Sequence, residues 1–134
     1  YLGKAQYALR ALKREDFVLV HVEAPDEAGH MGEIKEKIRA IENFDRLVVG
    51  TILKGLKKFK NFRILVMPDH PTPISKLTHT GEPVPFAIYG KGISPAFGGI
   101  KAGKIKKFTE RTISKSKLKI KNGYKLMDFF IKSQ

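Results

Sequence analysis

The chain has 134 residues, 42% of them hydrophobic and 29% charged, which is one domain's worth of globular sequence with material for a core. It contains no Cys, which excludes disulfides and thiolate metal sites and fits a cytoplasmic protein; no apolar run reaches the length of a membrane span, and no secretory signal pattern is present. The net charge of +13 is uneven, with 15 basic and 11 acidic residues over 1–100 against 11 and 2 over 101–134. A basic tail suits nucleic acid or an acidic partner. No aromatic-basic RNA signature and no helix-turn-helix pattern accompanies it, so nucleic acid is not an expected partner and the lysines read as solvated surface.

Residues 3–14 place Ala5, Ala8, Leu9 and Leu12 on one helical face. The chain opens in that pattern at Tyr1 rather than Met, and further residues are expected upstream. Asp16 to Glu23 is a nearly continuous apolar run rich in Val, which predicts a parallel strand buried on both faces, ended by Pro25. Within it, His21 is expected as a core or hydrogen-bonded histidine. From Glu33, the residues Ile34, Ile38, Ile41, Val48, Ile52 and Leu56 recur at mostly helical spacing and predict one long amphipathic helix. Arg63 to Met67 predicts a second buried strand, closed by Pro68. Strand, helix and strand at this spacing read as a right-handed βαβ unit.

Residues 71–83 are too rich in Pro and Gly for a helix and are expected as a loop. Val84 to Tyr89 predicts a third strand, with Pro85 marking an edge or a strand start. The glycines from Gly90 to Gly99 predict a loop. Thr109 is placed to cap a short helix, and Asn122 to cap a last one whose buried face is Tyr124, Met127, Phe130 and Ile131. The expected class is α/β, a partly parallel sheet flanked by helices, forming one partial domain over 1–134 that is incomplete on its N-terminal side.

Two segments carry chemistry. Ala24-Pro25-Asp26-Glu27-Ala28-Gly29-His30 follows the first predicted strand, and Pro68-Asp69-His70 follows the second, with His79 nine residues further on. The carboxyl ends of strands are where open α/β sheets place their sites. Asp26 and His30 are four apart, so on a helical turn they share a face and can chelate one ion. Asp69 and His70 can turn toward an ion from a loop, and His79 can complete the Asp26/His30 set. Carboxylates mixed with imidazoles suit one or two divalent transition-metal ions.

The order of these motifs resembles the alkaline phosphatase superfamily. The wording VHVEAPDEAGH, KIRAIENFD, VMPDHPTP and HTGEPVPFAIYG is similar to cofactor-independent phosphoglycerate mutases of the archaeal type, from about Tyr1 to Gly92 and more loosely beyond. The resemblance implies interconversion of 3-phosphoglycerate and 2-phosphoglycerate through a phosphoserine, with two divalent ions. Manganese is expected first, with magnesium, cobalt or zinc as alternatives. It implies Asp26, His30 and His79 as ligands of one ion, and Asp69 and His70 as two ligands of the second. In that family an Asp and the nucleophilic Ser complete the second ion from near the N-terminus of a longer chain. None of Ser75, Ser94, Ser114, Ser116 and Ser133 follows a strand and opens a helix as such a nucleophile would. This chain alone is therefore expected to be inactive, to take an acidic small molecule as its ligand in the parent enzyme, and to sit against a missing N-terminal segment or self-associate. Another phosphatase or phosphodiesterase of the superfamily, and a non-catalytic metal-binding module, remain as rival readings.

Overall fold

A computed structural model describes residues 1–91, 96–97, 100–101 and 107–132. They fall into two compact units, residues 1–59 with 70–82, and residues 60–69 with 83–134.

The first unit is helical. Helix α1 spans Leu2–Ala11, α2 Ala24–His30 and α3 Ile34–Asn43; a π-helical stretch, Phe44–Val49, leads directly into α4, Gly50–Leu56. The expected α1 face is real: Ala5 and Ala8 are buried, and their small side chains let α4 and the π stretch pack closely on α1. At Gly55 a Cβ would lie 2.5 Å from both Leu9 methyls, so any larger residue there would require the Leu9 side chain to shift. Ala5, Ala8, Ala40, Val48, Ile52 and Leu56 are the buried apolar residues around these contacts.

The long helix is continuous from Ile34 to Leu56, as its periodicity predicts, but its apolar residues are not buried throughout. Val48 is 2% exposed and Leu56 4%, whereas Ile34, Ile38 and Ile41 are 60%, 53% and 51% exposed. The π turn between them takes more residues per turn than an α-helix, which puts the faces before and after it out of phase. Only the later face meets α1.

Asp16 to Glu23 departs further from expectation. It runs without regular secondary structure and is not buried on both sides. Val18, Val20 and Val22 are half-buried, while Phe17, Leu19 and His21 on the alternate positions are exposed. Among the described residues, the one hydrogen bond recorded for Phe17–Val22 runs from Lys4 Nζ to the His21 carbonyl, at 2.7 Å. A strand is defined by its neighbour, and no described segment pairs with this one. His21 is thus an exposed side chain, 3.8 Å from Glu23, and not a core histidine.

In the second unit, β1 (Phe62–Val66) pairs with β2 (Ala87–Lys91) in antiparallel register from Phe62 opposite Lys91 to Val66 opposite Ala87. The parallel pairing expected of a βαβ unit is not formed among the described residues. The two strands expected to be parallel neighbours lie in different units, so the partner β1 takes is the next strand in the chain. A shorter antiparallel pair joins β3 (Ala96–Phe97) to β4 (Ile100–Lys101). Most of the glycine-punctuated stretch after β2 lies outside the described residues.

Thr109 caps helix α5 (Glu110–Ile113) as expected, its hydroxyl accepting from the Thr112 amide at 3.3 Å while the Thr112 hydroxyl accepts from the Thr109 amide at 3.3 Å. Helix α6 spans Lys125–Lys132, just after Asn122, and Arg63 on β1 donates to its late carbonyls at Phe130 and Ile131, at 2.6 and 2.8 Å. Its expected buried face is corrected. Leu126 is the buried residue and Phe130 is half-buried, while Tyr124 is 78%, Ile131 59% and Met127 38% exposed.

Candidate metal centre

Helix α2 and the loop 70–80, both in the first unit, build the cluster. Pro25 stands in the first turn of α2, where its missing amide costs nothing, and Asp26 and Glu27 follow at the end of the helix that favours negative charge. One helical turn later comes His30. The four-residue spacing puts His30 Nε2 3.4 Å from Asp26 Oδ2.

The loop returns His70 and His79 to the same place. His79 Nε2 lies 3.4 Å from Asp26 Oδ1 and 3.0 Å from His30 Nε2. His70 Nδ1 is 3.9 Å from Asp26 Oδ1, and the His70 and His79 rings stack with centroids 3.7 Å apart. Asp26, His70 and His79 each offer one ligand atom, and these atoms all lie within 4.8 Å of one another. Four of the five residues singled out from sequence therefore meet. The fifth, Asp69, is exposed and belongs to the second unit, although it is adjacent to His70 in the chain.

One hydrogen bond fixes the tautomer of His30. Its Nδ1 is 2.9 Å from the Leu77 carbonyl, an acceptor only, so Nδ1 carries a proton and Nε2 is the nitrogen that faces His79. The two facing Nε2 atoms can share one proton or one cation. Leu77 has φ of +55°, a left-handed conformation that branched residues seldom take, and it occurs here where the carbonyl reaches His30. Gly32 on the turn after α2 has φ of +75°, and a Cβ there would lie 3.1 Å from Leu77 Cδ2.

Thr72 supports the other ligands. It is 5% exposed, the one buried polar residue among those described, and its hydroxyl donates to Asp26 Oδ1. That hydrogen bond is the main reason the Asp26 carboxyl sits below its ordinary pKa. The charge of His30, His79 and His70 adds to the shift, and partial burial opposes it. Lys37 on α3 donates to the Thr72 carbonyl. Thr72, Lys37 and Leu77 were not legible as site residues. The only signal in sequence was that Thr72 lies two residues beyond the Asp-His pair.

One carboxylate and three imidazoles, with the second nitrogen of His30 tied to a carbonyl, fit a borderline divalent ion.

A family model, described as the metalloenzyme superfamily, matches residues 1–133. The chain belongs to the metalloenzyme superfamily. Its alkaline-phosphatase-like character agrees with the order of motifs, and helices combined with strands agree with the expected mixed class. The chain is 43% identical over 131 residues to a probable 2,3-bisphosphoglycerate-independent phosphoglycerate mutase of Geobacter sulfurreducens, covering 98% of this chain and 31% of the relative. It is 44% identical over 131 residues to one from Methanothermobacter thermautotrophicus, again covering 98% and 31%. The Methanosarcina acetivorans enzyme is 59% identical over 90 residues, 66% of this chain and 23% of that protein. A Pyrococcus horikoshii protein of known structure superposes with a TM-score of 0.71 at 36% identity, over 85% of this chain and 32% of that one. The chain thus spans about a third of the length of the curated relatives it matches along its whole length. No described helix is long and apolar enough to cross a membrane.

Proposed function

We propose that this metalloenzyme-superfamily chain is the metal-binding portion of a phosphoglycerate mutase, an isomerase that moves a phosphoryl group between the 3- and 2-positions of phosphoglycerate through a phosphoserine. The observation that carries the reading is the convergence of Asp26, His30, His70 and His79 from α2 and one loop. The names of relatives 43–44% identical over nearly the whole chain support the reaction. Asp26, His30 and His79 hold one divalent ion in this proposal, manganese first among the candidates. His70 and Asp69 supply two ligands to a second.

Bound ions would neutralise the oxygens of the transferring phosphoryl group and lower the pKa of the attacking hydroxyl. The chain's own part is to hold the donor atoms in place. Leu77 holds the Nδ1–H side of the His30 ring so that Nε2 faces the cluster, and Thr72 favours the charged Asp26 carboxylate. The nucleophilic Ser and a further Asp come from outside these residues. The strand-like run at Asp16–Glu23 joins a parallel sheet with segments that also lie outside them. The enzyme is cytoplasmic in this proposal, a location in keeping with a composition without Cys.

The test is a calorimetric titration of Mn²⁺ into the 134-residue chain, followed by an assay with 3-phosphoglycerate. The expected result is saturable binding and no turnover above a His30→Ala control. No binding would remove the metal assignment. Turnover would show that a residue within the chain serves as nucleophile. The five serines favour a second reading, a metal-binding module without catalysis, since none opens a described helix.

A further inference from the structure

We propose that Lys37 is the positioning residue of this cluster: its ammonium reaches over Gly29 and clasps the Thr72 carbonyl, which seats the loop carrying His70 and His79 against helix α2. The inference rests on the metal-binding reading above and extends it to a residue that supplies no donor atom to the ion.

The lysine is turned inward by its own helix. Gly32, with φ of +75°, reverses the chain after α2, and the Glu33 amide donates to the Ala28 carbonyl at 3.0 Å, so α3 starts packed on the ligand helix. The Lys37 amide donates to the Glu33 carbonyl at 2.9 Å, which fixes Lys37 at the start of α3. From there Lys37, Ala40 and Phe44 recur at helical spacing and are half-buried, buried and half-buried, whereas Ile34, Ile38 and Ile41 are exposed. A half-buried lysine beside bare isoleucines reverses the order that hydrophobicity alone would give. Such a lysine lays its stem along the protein and needs an acceptor at its charged tip. The carbonyl of Thr72, itself a buried residue, is an acceptor for it.

Gly29 makes room for the clasp. A Cβ there would lie 2.8 Å from Lys37 Nζ, 2.8 Å from the Thr72 carbonyl oxygen and 3.0 Å from Thr72 Cγ2. Glycine therefore lets the ammonium and the loop approach α2 together, close enough for the Thr72 hydroxyl to reach Asp26. Further hydrogen bonds between this loop and α2 run through the ligands themselves: the Thr72 hydroxyl to Asp26, His30 to the Leu77 carbonyl, and His30 to His79. The bond from Lys37 uses no ligand side chain, so it holds the loop independently of them. It acts near both loop ligands, because Thr72 is two residues from His70, and the amide of Thr80, next to His79, donates to the Pro71 carbonyl at 3.1 Å. Fixing the backbone between ligands reduces the freedom lost when an ion binds.

The experiment compares wild type with Lys37→Met, which keeps an unbranched stem and removes the ammonium, and with Lys37→Cys before and after aminoethylation. The chain has no Cys of its own, so alkylation rebuilds a lysine-length amine at the one introduced thiol. The first readout is Mn²⁺ affinity by calorimetry. Lys37→Met and unmodified Lys37→Cys are expected to bind about 10-fold more weakly, the lower end of the range for outer-shell partners, and aminoethylation to restore most of the loss. The second readout needs no metal: amide hydrogen exchange at Leu77 and Thr80, which bond to Pro73 and Pro71 within the loop, expected to be faster in Lys37→Met with exchange at Ile52 in α4 unchanged. Equal Mn²⁺ affinity in wild type and Lys37→Met overturns the proposal, and so does a loss that aminoethylation leaves unrepaired, which would make the role one of packing. A Lys37→Met chain that unfolds, or that exchanges faster at Ile52 as well, also overturns it, since the ammonium would then serve the fold at large. Wild type without Mn²⁺ binding defeats the metal-binding reading itself. Unchanged exchange at Leu77 and Thr80 in Lys37→Met overturns the Lys37 assignment separately.

Discussion

Two sides of the first unit differ in how far they are finished. At the cluster, Asp26, His30 and His79 each have polar partners within 3.4 Å, and Thr72 and Leu77 hold them from behind. The extended run that leads into the same helix, Phe17–Val22, has one recorded hydrogen bond, and Leu19 is 77% exposed. The long helix repeats the contrast, with Val48 and Leu56 covered by α1 and Ile34, Ile38 and Ile41 bare. A helix and a loop brought together across 49 residues of sequence are enough to organise metal ligands. A strand and an apolar helix face require cover, and the described residues do not supply it.

The largest effect that sharpens this contrast belongs to the cluster. His79→Ala removes an imidazole that faces both Asp26 and His30, and Mn²⁺ affinity should fall by at least about 100-fold, beyond the range for outer-shell partners. Because His79 is an exposed loop residue, far-ultraviolet circular dichroism should be unchanged. A folded variant that titrates like wild type would remove His79 from the ligand set.

The two halves of the long helix provide the next comparison. Val48→Ala opens space in the packed half and should cost about 2 kcal/mol in urea unfolding. Ile38→Ala alters a bare face and should stay within about 0.5 kcal/mol. Equal costs would mean that the Ile face is covered in solution, by a second copy or by other chain.

Gly29→Ala tests the join between ligand helix and loop. The added methyl meets a backbone carbonyl, which yields less readily than a side chain, and a loss of about 1–3 kcal/mol is expected from overpacking. A neutral or stabilising result would show that the loop moves aside at no cost, and the close approach argued for Thr72 would be loosened with it.

The smallest effect on stability is expected at the bare run. Leu19→Lys should change the unfolding free energy by less than about 0.5 kcal/mol, yet lower the scattering mass at high concentration, because exposed apolar edges self-associate and a lysine opposes this. A monomeric wild type at high concentration would show that the bare run does not recruit a second copy.

Asp26 and His30 were legible because a helix converts a spacing of four into one face, and His70 and His79 because loop histidines near such a pair are few in this chain. Thr72 was not legible, since a threonine between two prolines looks the same whether its hydroxyl meets solvent or a carboxylate. Leu77 was hidden for a similar reason. Its contribution is a backbone carbonyl, a group that every residue type carries.

Local patterns determined what depends on neighbours in the chain: the helices α1, α2 and Ile34–Leu56, the Thr109 cap, the Pro-rich loop, the strands near 63 and 87, and the ligand pair on α2. Tertiary structure decided what depends on partners distant in sequence. It pairs β1 antiparallel with β2, leaves Asp16–Glu23 unpaired among the described residues, and brings the Leu77 carbonyl to His30 Nδ1. The division is physical. Helical periodicity and capping are satisfied within a few residues, whereas a strand's hydrogen bonds, a buried face and a ligand's tautomer are each completed by a group that only the folded chain brings near.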